Sequence, residues 1–89
     1  MKLQTEAITN LNAGQIVEAG AAAIRGGDCT IDFSSVVRCD TAAVACVLAW
    51  TRIAQAGGKT LSMIAMPRDL LSLAKLYGVD QLMAGGGRA

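Results

Sequence analysis

The feature that most constrains this chain is an unbroken run of nine apolar residues at positions 42–50. A helix that spans a membrane needs about 20 such residues, so the run is too short to cross a bilayer. Asp40 and Thr41 come directly before the run, and helices typically start at such residues. The sequence therefore predicts a buried helix that begins at Asp40-Thr41 and continues to Gly57.

This predicted helix has no polar face over its first turns, so both of its sides need cover. One stripe is expected to pack on a sheet, and it consists of Val44, Val47, Leu48 and Thr51. The opposite side is expected to be too apolar to face water, and it consists of Ala43, Cys46, Trp50 and Ile53. A chain of 89 residues offers few elements to cover that side. We therefore expect a partner protein to bind it.

Glycine-rich breaks divide the rest of the chain into short alternating elements. The residue pattern predicts strands over 3–9, 29–33 and 60–66, a loop over 34–39, and further helices over 13–25 and 67–78. Strands that alternate with helices usually pair in parallel. We therefore predict one α/β domain over residues 1–84, with a small, mostly parallel sheet and helices packed against it. A short turn over 81–83 and a flexible glycine-rich tail over 85–89 complete the prediction.

The first predicted helix carries two further start signals. Asn12 is expected to be its N-cap, with Gln15 completing a capping box. Leu11 and Ile16 stand at the positions of a hydrophobic staple, which would fix the entry of the chain into the helix.

The composition excludes several classes of function. Eight basic and seven acidic residues leave a net charge of +1, which rules out a broad basic face for nucleic acids. Histidine is absent, so no mechanism can use an imidazole as base or metal ligand. The aromatic residues are too few for a base-stacking platform, and they are Phe33, Trp50 and Tyr77. A compact protein that binds another protein fits this composition better than an enzyme.

The cysteines indicate a reducing compartment. Cys29, Cys39 and Cys46 are an odd number and form no C-x-x-C pair, which argues against a disulfide framework. The first residues contain no apolar signal-peptide core. We therefore expect a soluble cytoplasmic protein with no metal and no cofactor.

Two motifs invite an enzymatic interpretation. Gly57-Gly58-Lys59-Thr60 suggests a phosphate-binding loop, but position 53 is Ile53 where that motif needs a glycine, and a helix precedes the loop instead of a strand. Cys39 stands beside a predicted helix start, which is a weak cue for a reactive thiol in a small cysteine-dependent enzyme. The neighbouring Asp40 opposes that cue, and the sequence favours a structural role for Cys39 over a catalytic one.

The segment over residues 31–43, which reads IDFSSVVRCDTAA, resembles the I-D-L-S-x-V-x-x-[VI]-D-[ST]-x-G core of STAS domains. The downstream residues 48–52, Gly57 and residues 73–79 look like the MlaB branch of that family in particular. The resemblance extends over about residues 5–83, and it implies a STAS fold.

The resemblance also implies a function. Members of the MlaB branch are small cytoplasmic subunits of an ABC transporter that moves phospholipid to maintain outer-membrane lipid asymmetry. They bind and support the ATPase subunit, hydrolyse nothing themselves, and would lie at the inner membrane only through that partner. Together with the apolar helix, the resemblance predicts a partner-binding surface made of Asp40, Thr41, Ala43, Cys46, Trp50 and Ile53.

The resemblance leaves a second binding function open. In the related anti-sigma factor antagonists, the hydroxyl residue that matches Thr41 is phosphorylated by a partner kinase. Two departures from the family pattern are expected from the resemblance: Ala43 stands where the family usually has a glycine, and the given sequence is expected to lack the first strand of the family's opening hairpin. The missing strand would leave an edge near residues 3–9 exposed, and such an edge can pair with a second copy of the chain.

Overall fold

The computed structural model describes residues 1–78. Its elements follow in the order β1 (Ala7–Ile8), α1 (Ala13–Arg25), β2 (Thr30–Asp32), β3 (Arg38–Cys39), α2 (Thr41–Ala56), β4 (Ser62–Ile64) and α3 (Arg68–Leu76). The turn predicted over 81–83 and the tail predicted over 85–89 lie outside the described residues. The domain boundary at residue 84 stays a prediction for the same reason.

The strands pair in parallel, as the alternation with helices predicts. β1 pairs with β3, and β2 pairs with β4. An isolated parallel bridge joins Lys2 to Asp32, where the Leu3 amide donates to the Asp32 carbonyl oxygen at 2.9 Å. The first residues of the chain therefore run beside β2, and the next few run beside β3.

Two of the predicted strand boundaries are wrong. The segment predicted as one strand over 3–9 is interrupted, because the Thr5 hydroxyl turns back and donates to the Ala7 carbonyl oxygen at 2.9 Å. The predicted loop over 34–39 ends in β3, because the Arg38 amide donates to the Glu6 carbonyl oxygen at 3.1 Å. A two-residue strand of this kind depends on a pairing partner far away in the sequence, which no local pattern reveals.

The start signals of the two longer helices have different outcomes. The Asp40 carboxylate accepts from the Ala42 amide at 2.8 Å, so the predicted cap of α2 is confirmed. Asn12 is the N-cap residue of α1, as predicted, but the predicted capping box is wrong. The Asn12 side chain makes no cap bond and instead joins the Thr9 amide and the Ala7 carbonyl oxygen, each at 2.9 Å. The staple is also wrong, since Leu11 is 91% exposed.

The hydrogen bond from the Asn12 side chain to the Ala7 carbonyl oxygen also occupies part of the unpaired edge of β1. The backbone groups of Ala7 point away from β3, and the side chains of Thr5 and Asn12 bind its carbonyl oxygen there. Polar side chains that occupy an edge in this way reduce its capacity to pair with another strand. Less of the predicted edge is therefore available to a second copy, and the homodimer stays a prediction.

The core lies between the strands and the three described helices. Phe33 and Trp50 are its largest buried side chains, with ring centroids 6.2 Å apart and planes tilted by 58°. Ile8, Ile24 and Ile31 are completely buried around them. α1 packs along α2, and α3 contacts both α2 and β3. This arrangement leaves one side of α2 against α1 and another side directed outward.

Candidate functional site

The side of α2 predicted to bind a partner is closed off by the chain itself. Ala43, Cys46 and Trp50 are all 0% exposed, and Ile53 is half-buried. The Trp50 indole N–H donates to the Val17 carbonyl oxygen of α1 at 3.1 Å. The prediction that these side chains form an exposed docking surface is therefore wrong. We call the three completely buried residues Ala43, Cys46 and Trp50 the inner side of α2.

A glycine in α1 makes this closure possible. A Cβ atom added at Gly20 would lie 2.3 Å from the Trp50 indole nitrogen, so no larger residue fits beside the ring. Glycine normally weakens the middle of a helix, and its presence there usually marks a close approach. Gly20 was therefore a signal in the sequence that something large packs on this point of α1, although it does not identify Trp50.

The opposite side of α2 is exposed and carries no charge over its first turns. Thr41 and Ala45 are exposed, whereas Ala42, Leu48 and Ala49 are half-buried. We call these five residues the outer face of α2. Leu48 was predicted to face the sheet, and Ala45 was not among the residues predicted to bind a partner. A helix that is apolar all round gives no pattern from which its direction can be read.

A shallow apolar groove of about 340 Å³ runs along this face, lined by Thr41, Val44, Ala45, Leu48 and Tyr77. Tyr77 follows α3 and is 56% exposed, whereas Leu70 and Ala74 of α3 are buried. The groove is therefore lined by residues from successive turns of α2 and by an aromatic ring next to α3. Such a surface can receive an apolar side chain from another protein.

Thr41 stands at one end of this groove with its side chain exposed. Because the neighbouring Asp40 supplies the helix cap, the Thr41 hydroxyl is not needed for it, and it makes no hydrogen bond within residues 1–78. Six residues were predicted to bind a partner. Two of them, Asp40 and Thr41, are exposed, and Ile53 is half-buried. The other three are buried: Ala43, Cys46 and Trp50.

The family model that describes the Mlab, STAS domain matches residues 3–84. The chain belongs to this STAS family. Its three described helices and small parallel sheets agree with a STAS fold, so the predicted family and fold class are confirmed. STAS domains generally mediate protein–protein interactions and are generally not enzymes. A comparison with curated proteins found no match.

The surroundings of two thiols, Cys39 and Cys46, do not favour the reactive thiolate form. Burial, followed by the nearby carboxylates of Asp69 and Asp40, raises the pKa of Cys39 from 9.0 to about 11. Burial also raises the pKa of Cys46 to about 11. A nucleophilic cysteine needs the opposite shift, because the thiolate is the reactive form. The surroundings of Cys39 therefore do not support the interpretation of Cys39 as a reactive thiol at a helix start.

Two features are absent from residues 1–78 of the STAS domain. No group of three or more His, Cys, Asp or Glu side chains in this range is arranged to hold a metal ion. None of the helices there combines the length and the apolar character that a bilayer crossing requires.

Proposed function

We propose that this STAS domain is the adaptor subunit that binds and supports the ATPase of a phospholipid-transporting ABC system, and that it catalyses no reaction itself. The observation that carries the proposal is the uncharged outer face of α2, which surrounds an apolar groove and ends at Thr41. Membership of the Mlab family supports the choice of an ATPase as partner.

The binding surface proposed here differs from the one expected from sequence. It consists of Asp40, Thr41, Ala45 and Leu48 on α2, together with Tyr77. Solvent-exposed helices usually carry charged residues, and a face without them is more easily desolvated when a partner binds. The adaptor would work in the cytoplasm, at the inner membrane through its partner.

A second candidate function is an anti-sigma factor antagonist that a kinase controls by phosphorylating Thr41. The exposed hydroxyl of Thr41, free of the capping role, favours this candidate. A phosphate at a helix N-terminus gains from the helix dipole. The carboxylate of Asp40 next to it opposes the additional negative charge, and for this reason we rank the adaptor function first.

Binding to the ATPase tests the proposal directly. The tagged chain is purified together with the ATPase subunit of the phospholipid transporter from the same organism, and its Kd is measured. Ala45→Arg places a long charged side chain on the outer face, and we expect it to weaken binding about 30-fold or more. Ala22→Arg is the matched control, because Ala22 is an exposed alanine on α1.

The proposal fails if the wild-type chain does not bind the ATPase, or if Ala45→Arg and Ala22→Arg bind equally well. The second candidate is tested with an anti-sigma kinase, ATP and intact-mass measurement. A mass gain of one phosphate that Thr41→Val abolishes would favour the antagonist, since valine keeps the shape of threonine and removes only the hydroxyl.

A further inference from the structure

The first residues of the chain form an open edge of the sheet. The Met1 carbonyl oxygen accepts from the Asp32 amide at 2.8 Å, and the Leu3 amide donates to the Asp32 carbonyl oxygen at 2.9 Å. Because the backbone groups of successive strand residues point to opposite sides, those of Lys2 and Gln4 point away from β2. In the part of the chain that the structure describes, none of these N–H and C=O groups takes part in a hydrogen bond.

The open part of this edge is short and has a defined centre. Further along the chain, the side chains of Thr5 and Asn12 bind the Ala7 carbonyl oxygen and occupy the edge there. The N–H and C=O groups that stay open are therefore those of the residues on either side of Leu3. Unpaired groups in such a row are a template for a further strand.

An apolar groove of about 280 Å³ lies between this edge and α1. Residues 1–5 line it from the edge, and Gln15, Ile16 and Ala19 line it from α1. Of the described residues that line the groove, Lys2 alone has a charged side chain. A partner that fits this site pairs with the edge and also covers the apolar surface beside it.

We propose that the occupant of this edge is a second copy of the chain, paired antiparallel about a twofold axis at Leu3. In this register Lys2 of each copy lies opposite Gln4 of the other, and the two residues exchange both of their backbone hydrogen bonds. These bonds use every open group at the two edges, and no like charges stand directly opposite each other. A contact between two identical surfaces closes on itself, so the assembly ends at a dimer.

The same pairing covers the groove. The twofold axis of an antiparallel pair is perpendicular to the sheet, so the two α1 helices lie on the same side of the joined sheet. The grooves of the two copies then face each other across the axis, and Ile16 and Ala19 of one copy approach those of the other. Ala19 is exposed and small, which allows the two helices to come close. The apolar lining of both grooves is thereby removed from water.

Sedimentation equilibrium of the full chain tests for the dimer. The paired segment is short, so the interface belongs to the small, weakly bound class. We expect a monomer–dimer equilibrium with a Kd of about 10–300 µM and no larger species. The wild-type chain is measured in a dilution series that extends to about 1 mM, well above this Kd.

Two variants locate the interface. Gln4→Pro removes an amide that bonds only to the other copy, and an edge strand tolerates proline at such a position. Ala19→Arg places a long charged side chain in the groove. We expect each to weaken dimerisation about tenfold or more. Ala45→Arg is the matched control, because Ala45 lies on the outer face of α2, away from α1, and it should dimerise like the wild-type chain. Circular dichroism verifies that each variant keeps its helices.

Disulfide trapping tests the register. A chain with Lys2→Cys is mixed with an equal amount of a chain with Gln4→Cys, and the mixture is oxidised. Both positions are exposed, and they lie opposite each other in the proposed pair. We expect the disulfide to join one chain of each kind more often than two chains of the same kind. The wild-type chain, treated in the same way, gives the background from its native thiols.

Three results would overturn the dimer. The first is a wild-type chain that stays monomeric at about 1 mM. The second is a Gln4→Pro or Ala19→Arg variant that dimerises as tightly as the wild-type chain. The third is a disulfide that joins two chains of the same kind more often than two different ones. None of these measurements involves the ATPase, so the dimer and the adaptor function stand or fail separately.

Discussion

The inner side and the outer face of α2 have similar, uncharged compositions, but they meet different surroundings. Ala43, Cys46 and Trp50 are completely buried, and Trp50 bonds to the backbone of α1. Thr41 and Ala45, on the other side, are exposed beside a groove. The comparison shows that the role of each side of an apolar helix depends on which other elements pack against that side. Here the inner side holds the domain together, and the outer face is where we propose that a partner binds.

The largest expected effect separates these roles by stability. Trp50→Ala removes a fully buried ring and its hydrogen bond to Val17, so we expect the free energy of unfolding to fall by about 3–5 kcal/mol. Leu48→Ala on the outer face removes a half-buried side chain and should cost about 1 kcal/mol. Urea denaturation followed by circular dichroism measures both values.

Trp50→Phe keeps the comparison measurable if the alanine variant does not fold. It retains most of the buried area and loses the indole donor, for an expected cost of about 1–2 kcal/mol. Equal costs for Trp50→Ala and Leu48→Ala, or a Trp50→Phe variant as stable as the wild-type chain, would show that the two sides of α2 are not different in the way described.

A smaller effect is expected from two glycines of α1. Gly20→Ala should destabilise the domain by about 1–3 kcal/mol, although alanine favours a helix, because its Cβ atom would collide with the Trp50 ring. Gly14→Ala is the matched control, since a Cβ atom there has no neighbour within 4 Å. It should stabilise the domain by up to about 1 kcal/mol. Thermal unfolding of both variants measures the difference, and a stabilised Gly20→Ala variant would contradict the close packing of α1 on α2.

Much of the fold could be predicted because its signals are local. The bounds of α1 are those predicted, and the start of α2 follows from Asp40, which caps it. Which side of α2 is exposed could not be predicted, because residues 42–50 contain no polar side chain to mark it. The side that is buried is determined by the contact between Gly20 and Trp50, which lie far apart in the sequence.

The same reason explains the errors around β1. Asn12 and Leu11 have the residue types of a helix cap and a staple, but the Asn12 side chain binds the Ala7 backbone instead. Short strands and the side chains that bind their edges depend on tertiary pairing. For the candidate site, the position of Thr41 at a helix start was predictable, whereas the contribution of Tyr77 to the groove was not.

The smallest effect concerns the thiol on the inner side and the thiol just before α2. Because the pKa values of Cys46 and Cys39 are raised to about 11, both should react with iodoacetamide at pH 8 about tenfold or more slowly in the native chain than in urea. Between pH 9 and pH 11 the unfolded thiols lose protons that the folded ones keep. The free energy of unfolding should therefore fall as the pH rises through that range. Peptide mapping identifies each thiol, and equal native and unfolded rates would contradict its protection.

Side-chain footprinting of the free chain and of its complex with the ATPase tests the central claim most directly. In the free chain, hydroxyl radicals should modify Leu48 and Tyr77 and leave Trp50 unmodified. In the complex, the account predicts that Leu48 and Tyr77 become protected, whereas the exposed Leu11 and Val37 stay reactive. Protection of Leu11 and Val37 without protection of Leu48 and Tyr77, or a reactive Trp50 in the free chain, would contradict it.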